Sequence, residues 1–328
     1  MRAWFCGFLT LVISWSMTNV EARAWNPSGH QTIASIIFRE LSAERRMELA
    51  ELLTHHPRYR ADFLSDLPRF LQDADAETLA EWRFQLASIW SDIVRGGPAD
   101  RTAFNRPFWH YLPRAYYLSP PTDRFRKQVE SGFNSRLEPV GGTENEKLNG
   151  PQAFLANLEV LNDDEASKAD RAVALCWVLH IGQDLHQPCH TASLCDPVLF
   201  PRGDRGANDI KTKQLRNLHA VWDGPLGPDS RFIRCRNLAI QLRGDASKEM
   251  VNQDVTDART QMAVWLSEGL KFAESDVYSG EVRAAVESAS PLKTVDLSPD
   301  YLRNVRRVAN GRIVNAGIRL ARLLESNQ

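Results

Sequence analysis

The chain predicts an all-α fold, a single helical domain with long surface loops. Apolar residues recur at helical spacing in "HQTIASIIFREL" (30–41), "ADRAVALCWVLHIGQDL" (169–185), "ARTQMAVWLSEGLKFA" (258–273) and "PDYLRNVRRVANGRIVNAGIRLARLL" (299–324). No stretch alternates with the period of two that a half-buried strand requires. No internal repeat, low-complexity tract or linker divides the 328 residues into two domains.

In chain order, the first 24 residues stand apart. Arg2 precedes the apolar run Ala3–Ser14, and "EARA" places Ala22 and Ala24 in the small-x-small pattern of a signal peptidase site. The run is too short to span a bilayer comfortably, so residues 1–24 read as a secretory signal peptide and 25–328 as the mature domain. Cleavage after Ala24 makes Trp25 the first residue and places the protein outside the cell or in a periplasm, with no stable membrane association. Downstream of the first helical stretch, 118–151 and 195–209 are rich in Pro, Gly and charge and read as long surface loops. The helix over 169–185 ends near Pro188, and "NLHAVWD" (217–223) has the look of a short helix.

Composition narrows the function. With 43% hydrophobic and 25% charged residues the chain has the make-up of a packed protein. A net charge of −1 with both signs interspersed gives no basic tract that would hold nucleic acid by counterion release, so any such contact is local and transient. No surface-seeking amphipathic helix argues for lipid, and nothing points to an obligate protein partner. After loss of Cys6 with the signal, Cys176, Cys189, Cys195 and Cys235 remain, an even number in an oxidising compartment, which makes one or two disulfide bonds plausible; Cys176 also reads as a buried thiol.

The chemistry concentrates in "HIGQDLHQPCH" (180–190), which holds three of the eight histidines. On a helix His180 and Asp184, four residues apart, stand one above the other, which is chelate geometry. His190 falls just past Pro188, where a turn can bring its ring to the same place, whereas His186 sits well round the helix and reads as a hydrogen-bonding neighbour. A lone His/Asp pair is more often a surface hydrogen bond than a ligand pair. "NLHAVWD" repeats the device with His219 and Asp223, and the combined set of imidazoles and carboxylates without thiolates suits zinc held for hydrolysis. His110 in "PFWHYL" and His30 in "WNPSGH" are further candidates, while His55 and His56 have a polar, loop-like setting.

The set "WNPSGH", "SIWSDIVR", "FWHYL", "HIGQDLHQPCH", "DRGAN", "NLHAVWD", "WLSEGLKFAESDVY" and "AGIRLARLL" resembles the secreted, trinuclear-zinc, single-strand-specific nucleases of the S-one/P-one type, which share a fold with zinc-dependent phospholipases C. The resemblance runs in order from Trp25 to about Leu324. It implies one zinc on Asp92, His110, His180 and Asp184, a second on His190, His219 and Asp223, and a third on the α-amino nitrogen and carbonyl oxygen of Trp25 with His30 and the shared Asp184. It further implies that Asp92 orients an attacking water and that Arg95, three residues on, offers a cationic fork to phosphate. Tyr111 is a candidate for base stacking and Asn208 for a polar substrate contact. The expected substrates are single-stranded DNA and RNA and nucleotides, cut to 5′-phosphate products with removal of 3′-phosphates as a further activity; the alternative is a phospholipase C on the same metal framework, and a non-catalytic zinc-binding protein is disfavoured by Arg95 beside the ligands. The sequence departs from the family in Gln183 and Ala207, where glycine is usual, and in Pro113, where an aspartate associated with base recognition often stands.

Overall fold

The structure, a computed structural model, describes residues 25–112, 114–138, 147–246, 257–288 and 291–326. The expected signal segment 1–24 and Pro113 lie outside the described residues. Thirteen α-helices are present among them, beside shorter 3-10 and π turns: α1 (Pro27–Glu40), α2 (Ala43–Leu52), α3 (Ala76–Ile93), α4 (Ala99–Thr102), α5 (Asp123–Gly132), α6 (Gly150–Asn162), α7 (Lys168–Asp184), α8 (Pro188–Thr191), α9 (Leu218–Asp223), α10 (Phe232–Asp245), α11 (Ala258–Phe272), α12 (Gly280–Ser288) and α13 (Pro299–Glu325). The fold is all-α as predicted. The strands described are two-residue pieces, 115–116 pairing in parallel with 193–194.

Local chemistry sets the helix starts. Asn26, Asp75, Ser167, Asn217, Asp257 and Ser298 each accept a hydrogen bond from a main-chain N–H of the first turn of the helix that follows. At α6, Asn149 and Gln152 bond reciprocally across the first turn. Pro27, Pro151 and Pro299 lie in the first turns, where a missing N–H costs nothing.

Helix α7 is buried continuously from Ala174 to Asp184 and lies against α3, α6 and α13. A helix apolar on nearly all sides has to sit at the centre of the fold. Helix α1 packs on α3, α10 and α13, which completes the larger core, and a second apolar cluster joins Cys189, Trp222, Val277, Tyr278 and Tyr301. Among the described residues no helix is long and apolar enough to cross a membrane.

Three sequence expectations need correction. The segment 118–151 is not one long loop: α5 and the start of α6 lie in it, the first begun by Thr122 accepting from Phe125 N and carried on the buried side chains Phe125 and Val129. Among the described residues no disulfide joins the expected cysteines: Cys176, Cys189 and Cys195 are free thiols in three different apolar clusters and Cys235 is a free buried thiol whose Sγ lies 3.7 Å from Gln31 Oε1. His56 is buried, with its ring against Phe63, Trp90 and Phe104, and burial lowers its pKa to about 4.

The α1–α13 crossing depends on Gly317. A Cβ there would fall 2.4 Å from Ile36 Cγ2 and 2.6 Å from its Cβ, an atom that only a backbone shift can move. Gly317→Ala is expected to lower unfolding free energy by about 1–3 kcal/mol through overpacking, more than the helix-propensity gain of roughly 1 kcal/mol. Urea titration checks this; a more stable variant would show that the two helices separate freely.

Candidate metal centre

Six pieces of the chain deliver the centre. The last turn of α7 supplies His180 and Asp184, both fully buried, with His180 Nε2 3.2 Å from Asp184 Oδ2. The turn 107–110 brings His110, whose Nδ1 lies 3.2 Å from the same oxygen and 2.9 Å from His180 Nε2. That turn is anchored by Trp109, edge-on to Trp177 of α7 at 4.8 Å, and by Leu112 N donating to His190 O at 2.9 Å. From the first turn of α1, His30 stacks on His180 with ring centroids 4.3 Å apart and places Nε2 3.4 Å from Asp184 Oδ1. Asp92, in the last turn of α3, has Oδ1 3.9 Å from His180 Nε2. His190 on α8 faces His219 on α9, Nε2 to Nε2 at 3.1 Å, and His219 Nε2 lies 3.3 Å from Asp223 Oδ2.

These residues form three buried groups able to hold a metal ion: His30, His180 and Asp184; Asp92, His110 and His180; His190, His219 and Asp223. His190 Nδ1, 4.0 Å from Asp184 Oδ2, links the third group to the others.

The protonation pattern tests whether cations fit. His180 Nδ1 donates to Ser88 O at 2.7 Å, His190 Nδ1 to His110 O at 2.6 Å and His219 Nδ1 to Gly206 O at 2.5 Å. A carbonyl oxygen only accepts, so in each neutral ring the proton is on Nδ1 and Nε2 carries a lone pair. The Nε2 lone pairs of His190 and His219 therefore point at one another, and His30 Nε2, His110 Nε2, Asp184 Oδ1 and Asp92 Oδ2 are buried without a hydrogen-bond partner among the described residues, while Asp92 Oδ1 has the Arg95 guanidinium 3.0 Å away. Acceptors converging with no proton between them are stable only around a cation.

Electrostatics agree. Burial pushes the Asp184 carboxyl up to about 6, and that of Asp223 well above its ordinary value. Burial likewise drives His30, His110 and His190 well below the usual imidazole range, while at His180 burial, the largest single effect, is outweighed by the Asp184 and Asp92 carboxylates and the Ser88 carbonyl together, which move the ring upward. Asp92, Asp184 and Asp223 all stand in the last turn of their helices, none of which has a basic residue in that turn. A carboxylate at the negative end of a helix is repelled by the main-chain carbonyls, which adds to the demand for positive charge.

The other candidates take these places. Arg95 lies just past the end of α3 with Nε 3.0 Å from Asp92 Oδ1 and a side chain 12% exposed. Tyr111, next to His110, is 36% exposed, as a stacking surface must be. Asn208 is half-buried and binds within its own loop, its amide donating to Arg205 O at 2.8 Å and its oxygen accepting from Asn217 at 3.0 Å. Trp25 is fully buried, its indole donating to Gln183 O at 3.1 Å, and Asn26 N donates to Asp223 O at 3.0 Å. His186 donates to Gly182 O at 2.7 Å and stands 3.4 Å from Arg319, outside the metal-binding groups.

Spacing gave no warning of the groups around the ligands. Gln187 donates to Asp223 Oδ1 at 2.6 Å, leaving Oδ2 for His219, and Gln183 contacts His30. Both lie inside the quoted His/Asp string, so proximity in sequence was the available signal. The carbonyls of Ser88, His110 and Gly206 had none, since every residue has one.

Fold and site together define an all-α protein built around buried histidine and aspartate groups suited to metal ions. A family model described as S1/P1 Nuclease matches residues 25–327, and the chain belongs to that family, which is metal-dependent and makes it a nuclease. The chain is similar to Endonuclease 4 of Arabidopsis thaliana, 22% identical over 337 residues covering 99% of this chain and 94% of that protein. It is 21% identical to Endonuclease 2 of the same plant over 325 residues, covering 96% and 94%.

The loop 203–208 controls His219. Gly206 has φ +61°, and a Cβ on it would fall 2.2 Å from Cys189 O, while Ala207 holds φ +68° without being glycine. Gly206→Ala is expected to cost at least about 1–3 kcal/mol and to weaken metal retention, because the same residue's carbonyl orients His219. Ala207→Gly relieves left-handed strain of about 1–2 kcal/mol and should leave stability equal or higher. Urea titration and metal analysis of both variants check the pair; equal effects of the two would refute it.

Proposed function

We propose that this nuclease is an exported, zinc-dependent endonuclease that hydrolyses phosphodiester bonds of single-stranded DNA and RNA to 5′-phosphate products and also removes 3′-phosphates from nucleotides. The observation that carries the reading is the convergence of three buried His/Asp groups on Asp184. Asp92, His110, His180 and Asp184 would hold one zinc and His190, His219 and Asp223 a second. Trp25, through its amino nitrogen and carbonyl oxygen, would hold a third with His30 and Asp184. Asp184 suits a shared role because Oδ1 faces His30 while Oδ2 faces His110 and His180.

Zinc bound there supplies positive charge for the phosphoryl oxygens and makes water acidic enough to attack near neutral pH. Asp92 accepts a hydrogen bond from the attacking water and holds it in line, so that the bond from phosphorus to the 3′ oxygen breaks as the new P–O bond forms. The proton the water gives up passes through solvent to the departing 3′ oxygen, which leaves as an alcohol. Arg95, drawn to Asp92 but exposed at its edge, donates to a phosphate oxygen, and Tyr111 stacks on a base that has left its duplex. With proline at 113, base identity contributes little. Export is supported by the apolar leader and by the family match beginning at Trp25. Endonuclease relatives over nearly the whole chain favour this reading over a phospholipase C.

Metal analysis should find about three zinc ions per chain, and His180→Ala or Asp184→Ala should lose metal and activity together. Asp92→Asn should lower kcat by about 10²–10⁴-fold and Arg95→Ala by roughly 10²–10³-fold. The zinc-loaded protein should cut single-stranded DNA and RNA and dephosphorylate a 3′-nucleotide, leaving duplex DNA and phosphatidylcholine largely untouched. At most one zinc in fully active protein, or equal rates on duplex, would overturn the reading.

Only a free α-amine, of pKa about 7.7–8.0, can give up its proton to bind metal near neutral pH; a peptide nitrogen cannot. A form carrying Met or a tag ahead of Trp25 is therefore expected to lack one zinc and most activity, and proteolytic exposure of Trp25 should restore both. Full activity of the extended form would sink this role for Trp25.

A further inference from the structure

Gln183 occupies the last turn of α7, immediately before Asp184, and is fully buried. Both ends of the residue reach the start of the domain. Its main-chain oxygen accepts from the Trp25 indole at 3.1 Å, and its side-chain Oε1 lies 2.7 Å from His30 Nδ1. The other amide atom, Nε2, is buried without a hydrogen-bond partner among the described residues. Burying an amide with its donor end unsatisfied works against stability, so the side chain needs another reason to be there.

Its effect on His30 provides one. An imidazole has two nitrogens and, when neutral, one proton, and the partner of one nitrogen decides what the other can do. His180, His190 and His219 give their Nδ1–H to main-chain carbonyls, acceptors that no substitution removes. The acceptor for His30 is a side chain. With Oε1 accepting from Nδ1–H, the Nε2 lone pair is directed at Asp184 Oδ1, 3.4 Å away, and two acceptors facing at that distance are matched only by a cation between them.

We propose that Gln183 is a positioning residue: its Oε1 fixes the Nδ1–H form of His30 and so sets how tightly the His30–Asp184 group holds its metal, a role that rests on the proposed metal at that group. The main-chain bond to Trp25 survives any substitution at 183, so a variant isolates the side chain's part. Glycine would remove the acceptor. Methionine would fill the same space without it, and glutamate would keep an acceptor while removing the unpaired N–H donor.

The test uses the mature, zinc-loaded protein and its Gln183→Gly, Gln183→Met and Gln183→Glu variants, competed against a zinc chelator, with bound zinc counted at each step. Gln183→Gly and Gln183→Met should release one zinc at about 10-fold to 100-fold lower chelator concentration, with the remaining zinc unaffected, while Gln183→Glu should retain all of it at least as well as the parent. Nitrogen-15 NMR of the zinc-loaded protein gives a readout independent of activity: the His30 Nδ1–H should be protected from exchange in the parent and in Gln183→Glu, and exchange rapidly in Gln183→Met. Identical zinc release in all four proteins overturns the proposal. Weakening by Gln183→Glu together with Gln183→Met also overturns it, since the amide would then be donating to His30. His30→Ala separates the two levels: if it costs no zinc, the metal reading of that group fails at its root.

Discussion

The arrangement depends on one constraint, the burial of the Asp184 carboxylate at the C-terminal end of α7 amid the rings of His30, His110 and His180, with His190 4.0 Å away. A carboxylate there has lost its water and faces the negative end of the helix dipole. The imidazoles do not relieve it as neutral rings, because the outer hydrogen bonds of His180 and His190 commit their protons away from one another. What restores balance is positive charge among the inward-facing lone pairs. The centre is thus a set of acceptors whose geometry is costly until it is shared by cations.

That constraint organises the surrounding fold. For lone pairs to converge, each ring must be held from behind, and the holding atoms come from α3 at Ser88, the turn ending at His110, and the loop at Gly206. The loop can present Gly206 O to His219 only through consecutive left-handed residues from Arg205 to Ala207, a local strain kept by the surrounding bonds of Asp204 to Leu194 and Tyr278. The start of the domain is tied in the same way, Trp25 to Gln183 O and Asn26 N to Asp223 O, so the N-terminal residue of the family match sits against the ends of the two helices that carry Asp184 and Asp223.

The legible parts of the sequence were those where one-dimensional periodicity survives folding. Helices α7, α11 and α13 match the apolar patterns to within a residue or two, and the His180/Asp184 and His219/Asp223 pairs follow from a spacing of four on a helix. Helices α3 and α6 lack so clean a pattern. Buried polar groups such as Glu81 and Gln85 in α3 and Asn157 in α6 interrupt the apolar stripe, each answered by a partner distant in sequence or a turn away. The places of His30, His110 and Asp92 came from resemblance, since a histidine alone in its segment carries no geometric signal. An even cysteine count suggested pairing, but parity says nothing about which core each thiol enters.

A nuclease with a net charge of −1 and no basic tract still has to hold a polyanion. Asp92, Asp184, Asp223 and Arg95 together carry a formal charge of −2 when ionised, so the bare centre offers phosphate no attraction. Three divalent ions, the proposed complement, would turn the same four side chains into a centre of +4. The attraction for substrate would then come from the proposed metals and be confined to a few ångströms around them, where the low dielectric of a buried site makes it strong and the surrounding mixed surface leaves it unextended. Such a centre would grip the phosphate being cut far more than its neighbours, which is consistent with the proposed preference for a flexible single strand able to bring one linkage to the metals. Arg95, whose Nε lies 3.0 Å from Asp92 Oδ1, would be held less tightly by that carboxylate once Asp92 shared its charge with a metal, and in the proposed reaction its guanidinium would then be able to turn to a phosphate oxygen from where it already stands.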